Sequence, residues 1–274
     1  MGDSPRLSRD SEFTYTCNRC MSCCHDSHIA LDPYEIARLA RNRSVSTTEF
    51  IARYLTEGGI VLRNLEDTAC VMLDADGCTV YSDRPQVCRT YPLLRKRALD
   101  GEIWSQYVPL PTSTGVYGKV GKLSDFLKAY DVDQLFAAKD RYFDLALRIA
   151  AGLAAAVKRE PHRFAAIRGV IEDHREFRAS MVPTLIDVDR VVSDYCIEHE
   201  IEFPVSLDEK IELHIRAIEE RLAIIAARPA DSSDARDDLT EMAAFAGALG
   251  AAAKVRVTLV FVAGVFGSGD STST

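Results

Sequence analysis

Cys17, Cys20 and Cys23 stand two residues apart, and Cys24 follows Cys23 directly. Two-residue gaps let a tight turn aim successive sulfurs at one centre; zinc ribbons use one such gap and ferredoxin-type loops use two in succession. A second set, Cys70, Cys78 and Cys88, is separated by seven and then nine residues. Seven thiols exceed the four that one zinc ion takes. The pattern therefore predicts a multinuclear centre, or a metal site with thiols left over, and an iron–sulfur cluster or zinc as cofactor. Neighbouring side chains of extended backbone point to opposite sides. Cys24 is accordingly expected to face away from a centre formed by Cys17, Cys20 and Cys23 and closed by Cys70, Cys78 or Cys88.

Arg19 lies inside the first cysteine group, and Arg84 and Arg89 flank Cys88. Several thiolates around one centre leave excess negative charge, which guanidinium groups can offset. His25, Asp26 and His28 follow the first group; an imidazole there could be a ligand or a proton donor, and a half-exposed polar loop is the plainer reading. The eighth cysteine, Cys196, shares a helical face with Val192 and Tyr195 and reads as a small core residue.

Eight cysteines in 274 residues are too few for a disulfide scaffold. Met1–Ser11 is polar and has no apolar segment of the kind that heads a secretory signal. A reducing cytoplasm is the expected setting, where clustered thiols act as metal ligands. The net charge of −8 argues against a nucleic-acid partner, because phosphate neutralisation needs a basic surface. The most apolar stretch, Ala243–Phe266, is interrupted by Lys254 and Arg256, so no membrane span is expected. The remaining partner classes are a protein or a small molecule.

Asp32-Pro33 reads as a helix start, with Ile36, Leu39 and Ala40 on its apolar face. Ser46 with Glu49 gives a second, a capping box, followed by a stripe of Phe50, Ile51, Tyr54 and Leu55 and a stop at Gly58-Gly59. Strands are expected at Ile60–Leu65, Cys70–Leu73 and Cys78–Tyr81, with a turn at Asp74–Gly77. A hairpin over Arg95–Val108 pivots on Asp100-Gly101, and Pro109 to Gly121 reads as a loop. From Leu123 the pattern turns helical. Leu135, Tyr142 and Ile149 recur every seven residues, and Ile211, Ile215, Ile218, Leu222 and Ile225 form a heptad-like seam. Breaks at Pro161, Pro183 and Pro204 suggest antiparallel helices. The expected fold class is α+β, mostly α: a small cysteine-rich metal-binding region with short strands and helices over 1–111, an antiparallel helical bundle over 112–266, and a disordered tail over 267–274.

Taken together, Cys17-Asn18-Arg19-Cys20-Met21-Ser22-Cys23-Cys24, Cys70, Cys78-Thr79-Val80-Tyr81 and Arg84-Pro85-Gln86-Val87-Cys88-Arg89-Thr90-Tyr91-Pro92 resemble the YkgJ-type CxxCxxCC family. The resemblance covers about a third of the chain. It implies a zinc- or iron-chelating domain of the kind described in bacterial proteins. Members often have glycine before the paired cysteines, where this chain has Ser22. The broad family includes flagellin lysine N-methylases, so the resemblance implies protein lysine methylation as one activity. Two further readings follow from the residues: a catalytic or redox-active centre, and a structural zinc site in an adaptor. No nucleophile elbow, Walker loop or dinucleotide fingerprint competes with them.

Overall fold

Asp32 accepts a hydrogen bond from the Glu35 backbone N–H, and Glu35 reaches back to the Asp32 N–H, so a capping box with Pro33 in the first turn starts helix α1 (Pro33–Asn42). Ser46 caps α2 (Thr47–Tyr54) by accepting the Glu49 N–H, but the expected capping box is only half formed, because the Glu49 carboxylate turns to Arg53. This computed structural model describes residues 6–56, 60–98, 101–107, 110–159, 183–227 and, between 241 and 249, all but 244, 247. The expected stop at Gly58-Gly59, Asp100, Pro109, Pro161, most of the apolar stretch and the 267–274 tail lie outside those residues.

The protein is mostly α with short antiparallel strands. Strand β1 (Glu12–Thr16) pairs with β6 (Val116–Lys122), β2 (Leu73–Asp74) with β3 (Gly77–Cys78), and β4 (Leu93–Ala98) with β5 (Gly101–Gln106). The hairpin on Gly101 and the turn closed by Gly77, whose φ is 116°, stand where the turn residues place them. The expected strands at Ile60–Leu65 and Cys70–Leu73 reduce mostly to isolated bridges, Ala30 to Val61, Leu55 to Leu62 and Asn64 to Cys70. Val116–Gly121, expected as loop, is strand: Phe13 and Tyr15 of β1 turn inward and recruit it as a partner. β1 and β6 lie on either side of the boundary expected at 111.

Beyond β6 come α4 (Leu123–Ala129), α5 (Asp133–Arg159), α6 (Pro183–Ile186), α7 (Val188–Glu198) and α8 (Leu207–Ala227). The predicted stripes are core: Leu135, Tyr142, Ile149, Ile211, Ile215, Ile218 and Ile225 are buried in one cluster with Leu31, Ile36, Leu39 and Phe50 of the N-terminal part. A second cluster joins Phe13, Tyr15, Leu93 and Trp104 to Leu123, Phe126 and Phe136.

Helix direction differs from the antiparallel expectation. Arg141 pairs with Glu212, Tyr142 with His214 and Arg148 with Glu219, so α5 and α8 run the same way. Asp189 pairs with Lys210 and Tyr195 with Glu220, so α7 does too. The stretch containing Pro204 is therefore a return connection, long enough in extended form to travel back along α7 at roughly 3.3 Å per residue. The described residues between 241 and 249 run against α8, with Glu241 at Arg221 and Phe245 at His214.

His214 is fully buried, its Nε2 at 2.9 Å from the Leu185 carbonyl and its Nδ1 at 2.8 Å from the Tyr142 hydroxyl. Those partners fit a neutral ring: Nε2–H donates and Nδ1 accepts. Burial pushes its pKa down to about 4. The unfolded chain, with an ordinary histidine near 6.5, then binds the proton first. Stability from this group is complete above about pH 6.5 and is lost as pH falls towards about 4, by roughly 3 kcal/mol in total. Urea unfolding between pH 7.5 and 4.5 is expected to show a steeper acid loss in the wild type than in His214→Gln; equal slopes would refute it.

Candidate metal centre

The first cysteine loop turns on residues with left-handed backbone, Arg19 (φ 53°) and Met21 (φ 62°), and then tightens into a 3-10 turn over Ser22–Cys24. The left-handed positions fall on either side of Cys20, so Ser22 in the usual glycine position carries no such demand. Backbone contacts then bring the distant cysteines in. The Cys70 N–H donates to the Cys24 carbonyl at 2.7 Å, and the Asp26 N–H to Thr68 at 3.0 Å. Cys78 is carried by β3, paired with Leu73 across the hairpin. Cys88 sits in α3 (Gln86–Thr90), after a 3-10 turn at Tyr81–Asp83.

Cys17, Cys20, Cys23, Cys24, Cys70, Cys78 and Cys88 all line one cavity of about 110 Å³. Each is a free, half-buried thiol. Cys24 belongs to the same wall, contrary to the expectation that it faces away: that expectation assumed extended backbone, whereas a 3-10 turn separates neighbouring side chains by roughly 120°. Cys196 is buried in the helical core, its Sγ at 3.7 Å from the Glu202 carbonyl. Cys196→Ser is expected to leave metal content unchanged, as elemental analysis of the purified variant would check. His25 and His28 are exposed and are not part of the cavity wall.

The thiols differ in character. Hydrogen bonds lower the Cys20 pKa to about 6, first from the Thr114 backbone N–H, 3.5 Å away, and then from Ser22. A hydrogen bond from Cys24 holds Cys23 down and Cys24 correspondingly up. Burial raises Cys70, Cys78 and, most of all, Cys88. Arg84 opposes this at Cys78 and also favours thiolate at Cys23. Arg19 and Arg84 lie over the Tyr81 ring, at 4.1 and 3.9 Å from its centroid, and both line the cavity. Arg89 instead donates to the Tyr130 and Ser82 carbonyls.

Several wall residues escape the cysteine pattern. Tyr15, Tyr91 and Ser113 line the cavity, with Tyr15 pushed up to about 12 by burial. The segment before β6 straps the first loop: Asn18 donates to the Thr114 carbonyl at 2.6 Å and Ser22 to that of Thr112 at 2.8 Å. A Cβ at Gly115 would collide with the Tyr15 ring, so glycine lets the strap pass. The alternation of Phe13 and Tyr15 was a readable strand signal; the strap has none.

Seven sulfurs with arginines nearby form a donor set for a thiophilic metal. Residues 16–106 match the CxxCxxCC family, a proposed zinc- or iron-chelating domain. No curated protein and no solved structure matches the chain. The matched CxxCxxCC segment holds every cysteine of the wall, in keeping with the expected iron–sulfur or zinc cofactor. Among the described residues, no three His, Cys, Asp or Glu groups stand at single-ion spacing. No helix of the described residues is long and apolar enough to cross a membrane.

Proposed function

We propose that this protein binds an iron–sulfur centre through thiolates of Cys17, Cys20, Cys23, Cys24, Cys70, Cys78 and Cys88, in a reducing cytoplasm. The observation that carries this reading is that all seven line one cavity. A single zinc ion uses four ligands, and a space of about 110 Å³ is several times what one water needs, roughly 10–15 Å³ by the same kind of measure. Both favour a centre of several atoms. Such a centre would supply electron transfer or Lewis acidity; the chain's own part is to hold the thiolates, offset their charge with Arg19 and Arg84, and cover Cys20 with the Thr112–Gly115 strap. The helical part is the proposed holder of a protein or small-molecule partner.

A structural zinc site is the second reading, supported by the short, irregular bridges around Cys70, which a metal could hold in register. Lysine methylation rests on the resemblance alone. Anaerobic purification followed by iron, acid-labile sulfide and zinc analysis separates the first two. Iron with sulfide and a broad visible absorption supports the proposal; stoichiometric zinc in a colourless protein overturns it.

A further inference from the structure

We infer that Glu35 is a positioning residue for Cys88, an assignment that rests on the metal-binding reading of the cysteine cavity. Glu35 is 2% exposed, deep in α1. Its Oε2 serves α1 itself, accepting from the Asp32 N–H at 3.3 Å, and takes the Lys139 ammonium at 2.7 Å. Its Oε1 does something the capping box does not need: it accepts the backbone N–H of Gln86 at 2.7 Å.

Gln86 is the first residue of α3, and Cys88 comes two residues later. The residue before it, Pro85, has no side chain able to cap, and both Pro85 and Gln86 are buried away from water that might replace a cap. A helix start in that position needs an acceptor from elsewhere. A carboxylate is the best-matched one, since it also meets the positive end of the helix. Glu35 is that cap, supplied from α1 about fifty residues earlier in the chain. Lys139 of α5 fixes the carboxylate in turn, so the helical part reaches Cys88 through three consecutive contacts: Lys139 to Glu35, Glu35 to Gln86, and the single helical turn from Gln86 to Cys88. This gives α5 a role at the metal centre although it contributes no ligand to it.

The test uses the full chain, first metal-free under reductant. Gln86→Pro deletes the N–H that Glu35 accepts together with the buried side-chain amide that donates to Thr90 Oγ1 at 3.3 Å, so Gln86→Ala, which loses the amide alone, is its control and should leave Cys88 near the wild-type rate. Proline suits a first helical position, and Pro85 already has the extended backbone (φ −53°, ψ 153°) that a following proline requires. Glu35→Ala deletes the acceptor, while Glu35→Gln keeps an oxygen for Gln86 and gives up the Oε2 contacts with the Asp32 N–H and Lys139. Alkylation of each cysteine is timed by mass spectrometry in variants whose circular dichroism is native, and Zn²⁺ affinity is then measured against a chromophoric chelator. Cys88 is expected to react faster in Gln86→Pro and Glu35→Ala, with Cys17 and Cys20 unchanged and Glu35→Gln close to wild type at Cys88. Zn²⁺ affinity should fall about tenfold in the first two, as for other residues that orient ligands. An unchanged Cys88 rate in folded Gln86→Pro, or equal acceleration of all the cavity thiols, would overturn the assignment. If the wild type binds no metal while Cys88 still responds selectively, the metal reading fails and the positioning role stands.

Discussion

Cys88→Ser is expected to abolish stoichiometric metal binding and to lower the thermal midpoint of the metal-loaded protein to that of the chelated wild type. Cys88 brings α3 to the cavity wall, and with it the chain between Tyr81 and Pro92. A serine hydroxyl does not replace a thiolate for a thiophilic metal. Closing the long loop from Cys24 to Cys88 costs chain entropy that metal bonds can offset. Because a metal stabilises only the state that binds it, the loss should vanish when both proteins are compared metal-free. Elemental analysis and thermal unfolding with and without chelator measure this. A Cys88→Ser protein with full metal and an unchanged midpoint would show that the first loop binds without α3.

Lys139→Met is expected to be the most destabilising substitution outside the cavity. Lys139 Nζ lies 2.9 Å from Asp32 and 2.7 Å from Glu35, both carboxylates being 2% exposed. Burial pulls the lysine pKa down, but the two carboxylates outweigh it and hold the ammonium charged. Burial also pushes Asp32 up, since one ammonium offsets only part of two buried negative charges. Removing the cation strands both, and breaking such a buried pair typically costs about 3–5 kcal/mol. One carboxyl should then take a proton in the folded state. The folded-state pKa of that group is raised, so the variant should regain part of its stability as pH falls from 7 towards about 4, the unfolded carboxyl range. Urea unfolding at pH 7 and 5.5 tests both statements; a loss below about 1 kcal/mol at pH 7 would place the triad among interactions that do not matter to stability.

The cysteine set and the local caps were legible because they are written in short spacings. Asp32-Pro33 starts α1 as read, and the turn at Asp74–Gly77 and the hairpin on Gly101 follow from their turn residues. The mostly α, α+β class follows from the apolar periods after Leu123. What spacing does not encode is which distant segment completes a contact. Glu35 caps α1, and nothing local marks its other oxygen for Gln86. Thr112 and Thr114 have no pattern that ties them to Ser22 and Cys20. Cys24 was misdirected because the local geometry was taken as extended when Met21 turns left-handed and the chain tightens into a 3-10 turn. Helix direction was misread at Pro204 because a proline break marks an end without fixing where the next helix starts in space.

X-ray absorption at the edge of the bound metal, on the anaerobically purified full chain, tests the central claim most directly. The account predicts a first coordination shell of sulfur alone, at about 2.3 Å, that weakens or disappears in Cys20→Ser and Cys88→Ser and is unchanged in Cys196→Ser. A shell dominated by nitrogen or oxygen, or one that survives loss of both Cys20 and Cys88, would contradict it.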